Sequence, residues 1–305
     1  MSEKTANELT AGGGLSQRTK GILCIIFSAF CFAVMNVCVR GAGDLPSVEK
    51  SFFRNLIAAV IAFVALVRNH TPLKCQKGDW KYLILRSAFG TVGILCNFYA
   101  VDHLLVSDAS MLNKMSPFFV IIFSYLILKE RLNKIQIIAV VGAFVGSLFV
   151  IKPSFSNMAL VPSLLGLLGG LGAGVAYTMV RILGQRKVNS SFVVFFFSVF
   201  SCVTTLPYLL FAFVPMTGTQ LLTLLGAGVA AAGGQFGITR AYYYAPAREI
   251  SIYDYSQILF AALLGFLLFG QVPDIYSVIG YVIICSMALM MFLYGKRQFR
   301  KEIVE

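Results

Sequence analysis

The amino-acid sequence predicts an all-α integral membrane protein of ten transmembrane helices, arranged as two inverted five-helix repeats. Three observations carry that prediction. The 305 residues are 58% hydrophobic and only 12% charged, with a mean hydropathy of +0.81, well outside the soluble globular range. The apolar residues gather into ten long runs. Finally, a shift of 141 positions, which carries Arg40 onto Arg181, lays one half of the chain over the other without a gap.

In the first half the runs are Gly21 to Val39, Ser47 to Val67, Tyr82 to Val101, Ala109 to Leu128 and Ile135 to Ile151. In the second they are Val161 to Ile182, Phe192 to Val214, Gln220 to Thr239, Ile250 to Phe269 and Ile275 to Tyr294. Most approach the roughly 20 residues that cross about 30 Å of hydrocarbon as helix. They are apolar on all sides, whereas a membrane β-barrel would show short alternating strands. The repeat register pairs Val39 with Val180, Gly93 with Gly234, Ala100 with Ala241, Ser110 with Ser251 and Leu126 with Leu267. The polar breaks between runs fall into step as well.

The sequence therefore divides into an N-terminal tail (1–19), a first repeat (20–152), a linker (153–160), a second repeat (161–295) and a basic tail (296–305). Of the 25 Lys and Arg, 19 lie in segments on the same side as the termini, and only Arg40, Lys50 and Lys152 lie in loops on the opposite side. Cytoplasmic loops retain positive charge, so both termini are expected in the cytoplasm of a multi-pass plasma-membrane protein. Five spans per half is an odd number, which makes the second repeat enter the membrane from the opposite side. The first 19 residues are polar and no small-residue cleavage site follows the first run, which reads as an anchor and not as a removed signal.

The net charge of +12 is scattered among short loops and lines no single face. Contact with anionic lipid headgroups accounts for it, and nucleic acid is not an expected partner. Cys24, Cys31 and Cys38 share a helix face at seven-residue spacing, without the His or carboxylate cluster a metal site needs, so they read as packing residues. Gly226, Gly228 and Ala231 match a dinucleotide fingerprint only nominally, since they sit inside a span with no preceding strand. Gly166, Gly170 and Gly174, like Gly142 and Gly146, recur every four residues and let helix backbones approach closely. With only His70 and His103 in the chain, and no nucleophile elbow or zincin pattern, catalysis is not expected, and no cofactor is implied.

Ionisable groups at membrane depth are costly and point to function unless they snorkel to an end. Lys114 and Asp254 each lie roughly 6 to 8 Å inside a span, at about 1.5 Å per residue. The repeat register pairs Asn113 with Asp254 and Lys114 with Tyr255, so two polar patches occupy equivalent places on the fourth and ninth spans. Pro117 cannot donate to the carbonyl of Asn113, which leaves that oxygen available to a ligand, water or a protein partner. Ser110, Asn113 and Lys114 share one helical face, and Ser251, Asp254 and Tyr255 share another with Gln257 alongside. Lys114 and Asp254 either face a substrate cavity or are structural. In the structural case Asp254 pairs with Arg240 or Arg248, and Lys114 with Asp108.

Arg86 is one turn inside the third span and Arg54 less than two turns inside the second, so each either snorkels or faces a cavity. Glu249, Arg248, Asp102 and His103 sit at span ends, where solvated or gate contacts are expected. Asn36, Asn97, Tyr99, Tyr177, Gln235, Tyr243 and Tyr253 complete the polar groups in spans, the tyrosines being more often packing or interface residues than ligand contacts. The candidate substrate-binding set is thus Lys114, Asp254, Asn113, Tyr255, Gln257, Ser110, Asn36, Tyr99, Tyr177, Gln235 and Tyr253. Asp254, Arg240 and Glu249 are the candidates for coupling or gating.

Several short stretches resemble the drug/metabolite transporter superfamily, and within it the EamA family. They are Phe53-Arg54-Asn55, Phe98-Tyr99-Ala100, Ser107-Asp108-Ala109, Ser116-Pro117-Phe118 and Lys129-Glu130-Arg131 in the first half. Arg240-Ala241-Tyr242, Ala245-Pro246-Ala247, Leu264-Gly265 and Phe269-Gly270-Gln271 continue the likeness in the second, so that it covers roughly Lys20 to Gly295. The resemblance implies a central cavity formed mainly by the first, third, fourth, sixth, eighth and ninth spans, worked by alternating access. One departure stands out: Glu130 is kept where the family places an acid, while its repeat counterpart is Gln271. The family's substrates include amino acids, nucleotide-related metabolites, quaternary amines and drugs, and some of these stretches resemble its S-adenosylmethionine-uptake branch.

The expected function is secondary transport of a small polar or amphipathic metabolite, amino-acid-like or zwitterionic, by a monomer. The competing classes are an intramembrane lipid-modifying enzyme, which would need a clustered nucleophile or metal site, and a non-transporting scaffold, for which midplane polar residues have no evident use.

Overall fold

A computed structural model describes residues 17–69, 75–128, 133–152, 159–244 and 251–304. Glu249, Arg248, Glu130 and most of the linker lie outside the described residues. The first repeat contains α1 (Gln17–Gly41), α2 (Ser47–Arg68), α3 (Trp80–His103), α4 (Val106–Asn113), α5 (Ser116–Leu128) and α6 (Lys134–Ile151). The second contains α7 (Leu160–Gln185), α8 (Ser190–Ala212), α9 (Gly218–Tyr244), α10 (Ser256–Phe269) and α11 (Ile275–Val304). No strand occurs among the described residues. Among the described residues nine spans are long and apolar enough to cross a membrane, α4 and α5 together making the fourth, and Tyr253–Phe269 forms a shorter apolar tenth. Large apolar side chains such as Leu210, Phe211, Leu222, Leu259 and Leu267 cover the outer surface, as lipid requires.

The helices pack in pairs that repeat across the two halves. α3 lies along α7, and its counterpart α9 lies along α1. Close backbone approach explains both contacts. A Cβ on Gly93 would sit 3.1 Å from the Gly169 carbonyl, and one on Gly172 would sit 2.8 Å from that of Phe89. In the equivalent place Ser28 Oγ donates to the Gly234 carbonyl at 2.6 Å. Ser28 and Gly234 are the repeat counterparts of Gly169 and Gly93, so one contact is built twice with different chemistry. The α2–α8 and α6–α11 contacts join each helix to its own counterpart. Asn55 Nδ2 donates to Ser201 Oγ at 2.9 Å across the former, and Gly280 packs on Gly146 in the latter.

The fourth span is broken. Pro117 has no N–H, and around it the Met115 amide turns to the Leu112 carbonyl (3.1 Å) and the Phe118 amide to that of Met115 (3.0 Å), both i→i−3 bonds. The ninth span is interrupted at the equivalent place, where a 3₁₀ turn over Ser251–Tyr255 precedes α10. The break after Lys114 and the break after Tyr255 are repeat counterparts. The three glycines at four-residue spacing on α7 seat the broken segment: Gly166 faces Leu112, Gly170 faces the carbonyls of Leu112 and Asn113, and Gly174 faces Phe119. The Asn113 carbonyl therefore lies against Gly170, and the carbonyl that gains a side-chain donor is that of Lys114.

On the face opposite the termini the three isolated basic residues are all engaged. Lys50 is fully buried and pairs with Asp102 at 2.6 Å. Arg40 Nη1 donates to the carbonyls of Val101 (2.8 Å), Leu104 (3.2 Å) and Asp102 at the end of α3. Lys152 adopts a left-handed conformation that ends α6 and pairs with Asp274 at 2.6 Å, while Asp274 caps α11 through the Ser277 amide. Gln271 caps α4 by accepting the Val106 amide at 3.0 Å, a role that an amide fills without placing a charge beside the helix entry.

Candidate functional site

The breaks in the fourth and ninth spans bring the two polar patches together. Lys114 Nζ lies 2.5 Å from Asp254 Oδ2, and both side chains are largely buried. Asp254 Oδ1 is buried with no hydrogen-bond partner among the described residues. Tyr255 adds a second link by donating its hydroxyl to the Lys114 carbonyl at 3.2 Å. One repeat thus supplies the cation and the other the anion. Of the structural pairings expected from sequence as alternatives, Lys114 with Asp108 and Asp254 with Arg240 are not found among the described residues, where Asp108 accepts a hydrogen bond from Tyr281 and Arg240 is exposed; Arg248 lies outside the described residues.

Lys114 lines a central cavity of about 90 Å³ together with Asn36, Arg54, Arg86, Asn97, Asn113, Tyr177, Gln235 and Gln257. That volume holds several waters but is small for a metabolite, so a ligand requires the bundle to open. The remaining wall is apolar, from Phe32, Met35, Ile94, Phe98, Ala173, Ala176 and Phe197. Polar groups within it are linked in a chain: Asn97 donates to Asn36, and Asn36 Nδ2 donates to Ser110 Oγ at 3.1 Å. Asn97 Oδ1 remains buried without a partner among the described residues.

Among the residues expected from sequence, the structure brings Lys114, Asn113, Gln257, Asn36, Tyr177 and Gln235 to the cavity wall. Asp254, Tyr255 and Ser110 stand directly behind it through their bonds to Lys114 and Asn36. Tyr99 and Tyr253 do not join the cavity wall. Tyr99 stacks on His103 with ring centroids 4.1 Å apart, one helical turn toward the end of α3. Tyr253 packs against Ile25 and Ala241. Arg240, near the end of α9, is exposed and outside the cavity, and Glu249 lies outside the described residues.

The candidate set omitted three polar residues that line the cavity, Arg54, Arg86 and Asn97. Arg54 and Arg86 do not snorkel; they are 2% and 5% exposed and turn into the bundle. A glycine one turn further on makes room for Arg86: a Cβ on Gly90 would lie 2.8 Å from its Nη1. The Arg86 guanidinium lies 3.7 Å from the centre of the Phe197 ring. The Arg86-x-x-x-Gly90 spacing was the available sequence signal, since a small residue at i+4 opens a path for a long side chain to fold inward.

A two-repeat helical bundle with broken spans meeting at a polar central cavity defines a membrane transporter. The EamA-like transporter family model matches residues 19–152 and again 161–293, and the chain belongs to that family. It is 33% identical over 273 residues to the pseudopaline exporter of Pseudomonas aeruginosa, covering 87% of this chain and 93% of that protein. It is 26% identical over 275 residues to solute carrier family 35 member G1 of Homo sapiens, covering 85% and 75%. It is 25% identical over 293 residues to the riboflavin transporter of Vibrio cholerae, covering 93% and 96%. A crystal structure with 15% identity superposes with a TM-score of 0.65 over 92% of this chain and 99% of its own, a likeness of fold. The family and these relatives are transporters, and the protein is not an enzyme.

Proposed function

We propose that this protein is a secondary transporter that moves a small polar metabolite with an amino-acid-like, zwitterionic group across the plasma membrane, by alternating access through the central cavity. The observation that carries this reading is the Lys114–Asp254 pair. It joins the two repeats at their equivalent helix breaks, 2.5 Å apart and largely buried. A ligand ammonium near Asp254 and a ligand carboxylate near Lys114 replace that pair with two charge-assisted hydrogen-bonded pairs. The ligand so offers a differential interaction with the opened state, as any ligand-driven conformational change requires.

Two of the relatives are named for different cargoes, pseudopaline and riboflavin. The substrate is therefore to be read from the cavity of this chain. Both termini are assigned to the cytoplasm, which sets the basic loops against anionic headgroups.

The test is flux in proteoliposomes containing the purified full chain. Labelled zwitterionic and acidic metabolites are expected to exchange across the membrane in a saturable manner, and Lys114→Met is expected to abolish that exchange. Exchange by the wild type no faster than by empty liposomes, over a panel of zwitterions, acidic metabolites and flavins, contradicts the reading.

A further inference from the structure

The cavity carries more positive charge than its own residues compensate. Lys114 has Asp254, but Arg54 and Arg86 have no carboxylate partner among the described residues. The acids elsewhere in the bundle bind other groups: Glu49 accepts the Val214 amide through Oε1 at 2.6 Å, its Oε2 being buried without a hydrogen-bond partner among the described residues, while Asp102 holds Lys50, Asp79 holds Arg186, and Asp108 binds Tyr281. The Nε atoms of both arginines are buried without an acceptor among the described residues. Arg54 spends Nη1 on the neighbouring Asn55 amide oxygen, and Arg86 rests one face on Phe197. Two guanidinium groups, each at least nine-tenths buried, thus line the cavity wall with donors unspent.

Burying an unpaired cation is strongly unfavourable unless an opposite charge reaches it. A guanidinium presents a planar fork of N–H donors that fits a carboxylate or phosphate with two parallel bonds, and it stays charged where an ammonium can lose its proton. Resting on this reading of the cavity as the substrate path, we propose that Arg54 and Arg86 form an anion subsite, and that the transported molecule carries acidic groups, carboxylates or a phosphate, that give it net negative charge. A plain neutral zwitterion leaves both arginines uncompensated. Lys114 and Asp254 take the ammonium and one carboxylate, and the arginines take the remaining acidic groups.

The experiment is a thermal-shift titration of the detergent-purified full chain against four probes: succinate, glycerol 3-phosphate, alanine and succinamide. Wild type, Arg54→Gln, Arg86→Gln and Arg86→Lys are compared, the lysine variant keeping the charge while losing the fork. Succinate, glycerol 3-phosphate or both are expected to stabilise the wild type at concentrations at least tenfold below alanine, with succinamide inactive. The more effective of the two says whether carboxylate or phosphate is the natural group. Arg86→Gln is expected to remove the preference for acidic probes while leaving the alanine response in place, and Arg86→Lys to retain part of it. Stabilisation by alanine alone, by succinate and succinamide equally, or by no acidic probe overturns the anion subsite. So does an undiminished acidic preference in both glutamine variants, whereas acidic probes that bind but do not exchange across proteoliposomes overturn the transport reading and leave the subsite standing.

Discussion

The Tyr255 hydroxyl donates to the Lys114 carbonyl at 3.2 Å, and the two residues are each other's counterparts under the 141-residue repeat. The bond therefore ties the two broken spans together at their equivalent points. It also satisfies a carbonyl that the chain near Pro117 leaves without its helical partner, since the Phe118 amide bonds to Met115 instead.

Tyr255→Phe leaves that carbonyl buried and unsatisfied. The cost is about 1–3 kcal/mol, the usual penalty for an orphaned buried acceptor. Thermal unfolding in detergent is expected to show a lower midpoint, while Tyr276→Phe, on the exposed start of α11, leaves the midpoint unchanged.

Removal of one partner from the Lys114–Asp254 pair strands a buried charge. Lys114→Met or Asp254→Asn alone is expected to cost about 3–5 kcal/mol. The double variant is expected to be more stable than the sum of the singles predicts, because neither charge remains unpaired. A double-mutant cycle on unfolding midpoints checks this, and additive losses contradict a direct ion pair.

Helix approach along α3 and α7 depends on the missing Cβ at Gly172. Gly172→Ala places that atom 2.8 Å from the Phe89 carbonyl and 3.0 Å from the Gly93 Cα, a clash that only backbone movement relieves. The expected loss is about 1–3 kcal/mol, as for other overpacked interiors. Gly184→Ala, on the same helix with nothing within 4 Å of the added atom, serves as the tolerated comparison in the same unfolding assay.

Burial raises the carboxyl pKa of Asp274, but the hydrogen bonds from Lys152 and Ser277 outweigh it and hold the group below its ordinary value. Folding lowers this pKa, so the contribution is fully present above the unfolded value of about 3.9 and is lost as pH falls through the folded one. The stability gap between wild type and Asp274→Asn is expected to be constant between about pH 5 and pH 7 and to close below about pH 4. Unfolding midpoints over that range measure it.

The ten spans and the repeat were legible because lipid demands long apolar helices, and because a duplicated pattern survives in register even when individual residues drift. Lys114 and Asp254 were legible because charge at membrane depth is rare. Their pairing across the repeats was not, since nothing in the local sequence ranks Asp254 above Asp108 as a partner for Lys114; the tertiary approach of two broken helices decides it. Tyr99 and Tyr253 show the opposite failure, because a tyrosine in a span carries the same sequence signal whether it lines a cavity or packs on a neighbour. Arg54 and Arg86 lay close enough to span ends for snorkelling, and only the space above Gly90 and the wall formed by Phe197 turn Arg86 inward.

The most direct test of alternating access is thiol labelling of Ala173→Cys, a small cavity-lining position, in a variant whose seven native cysteines are replaced. A membrane-impermeant maleimide is applied to one face of oriented proteoliposomes at a time. Under alternating access the introduced thiol reacts from either face, and substituting Lys114 shifts the balance between the two. Reaction from one face alone, unchanged when the Lys114–Asp254 pair is broken, contradicts it.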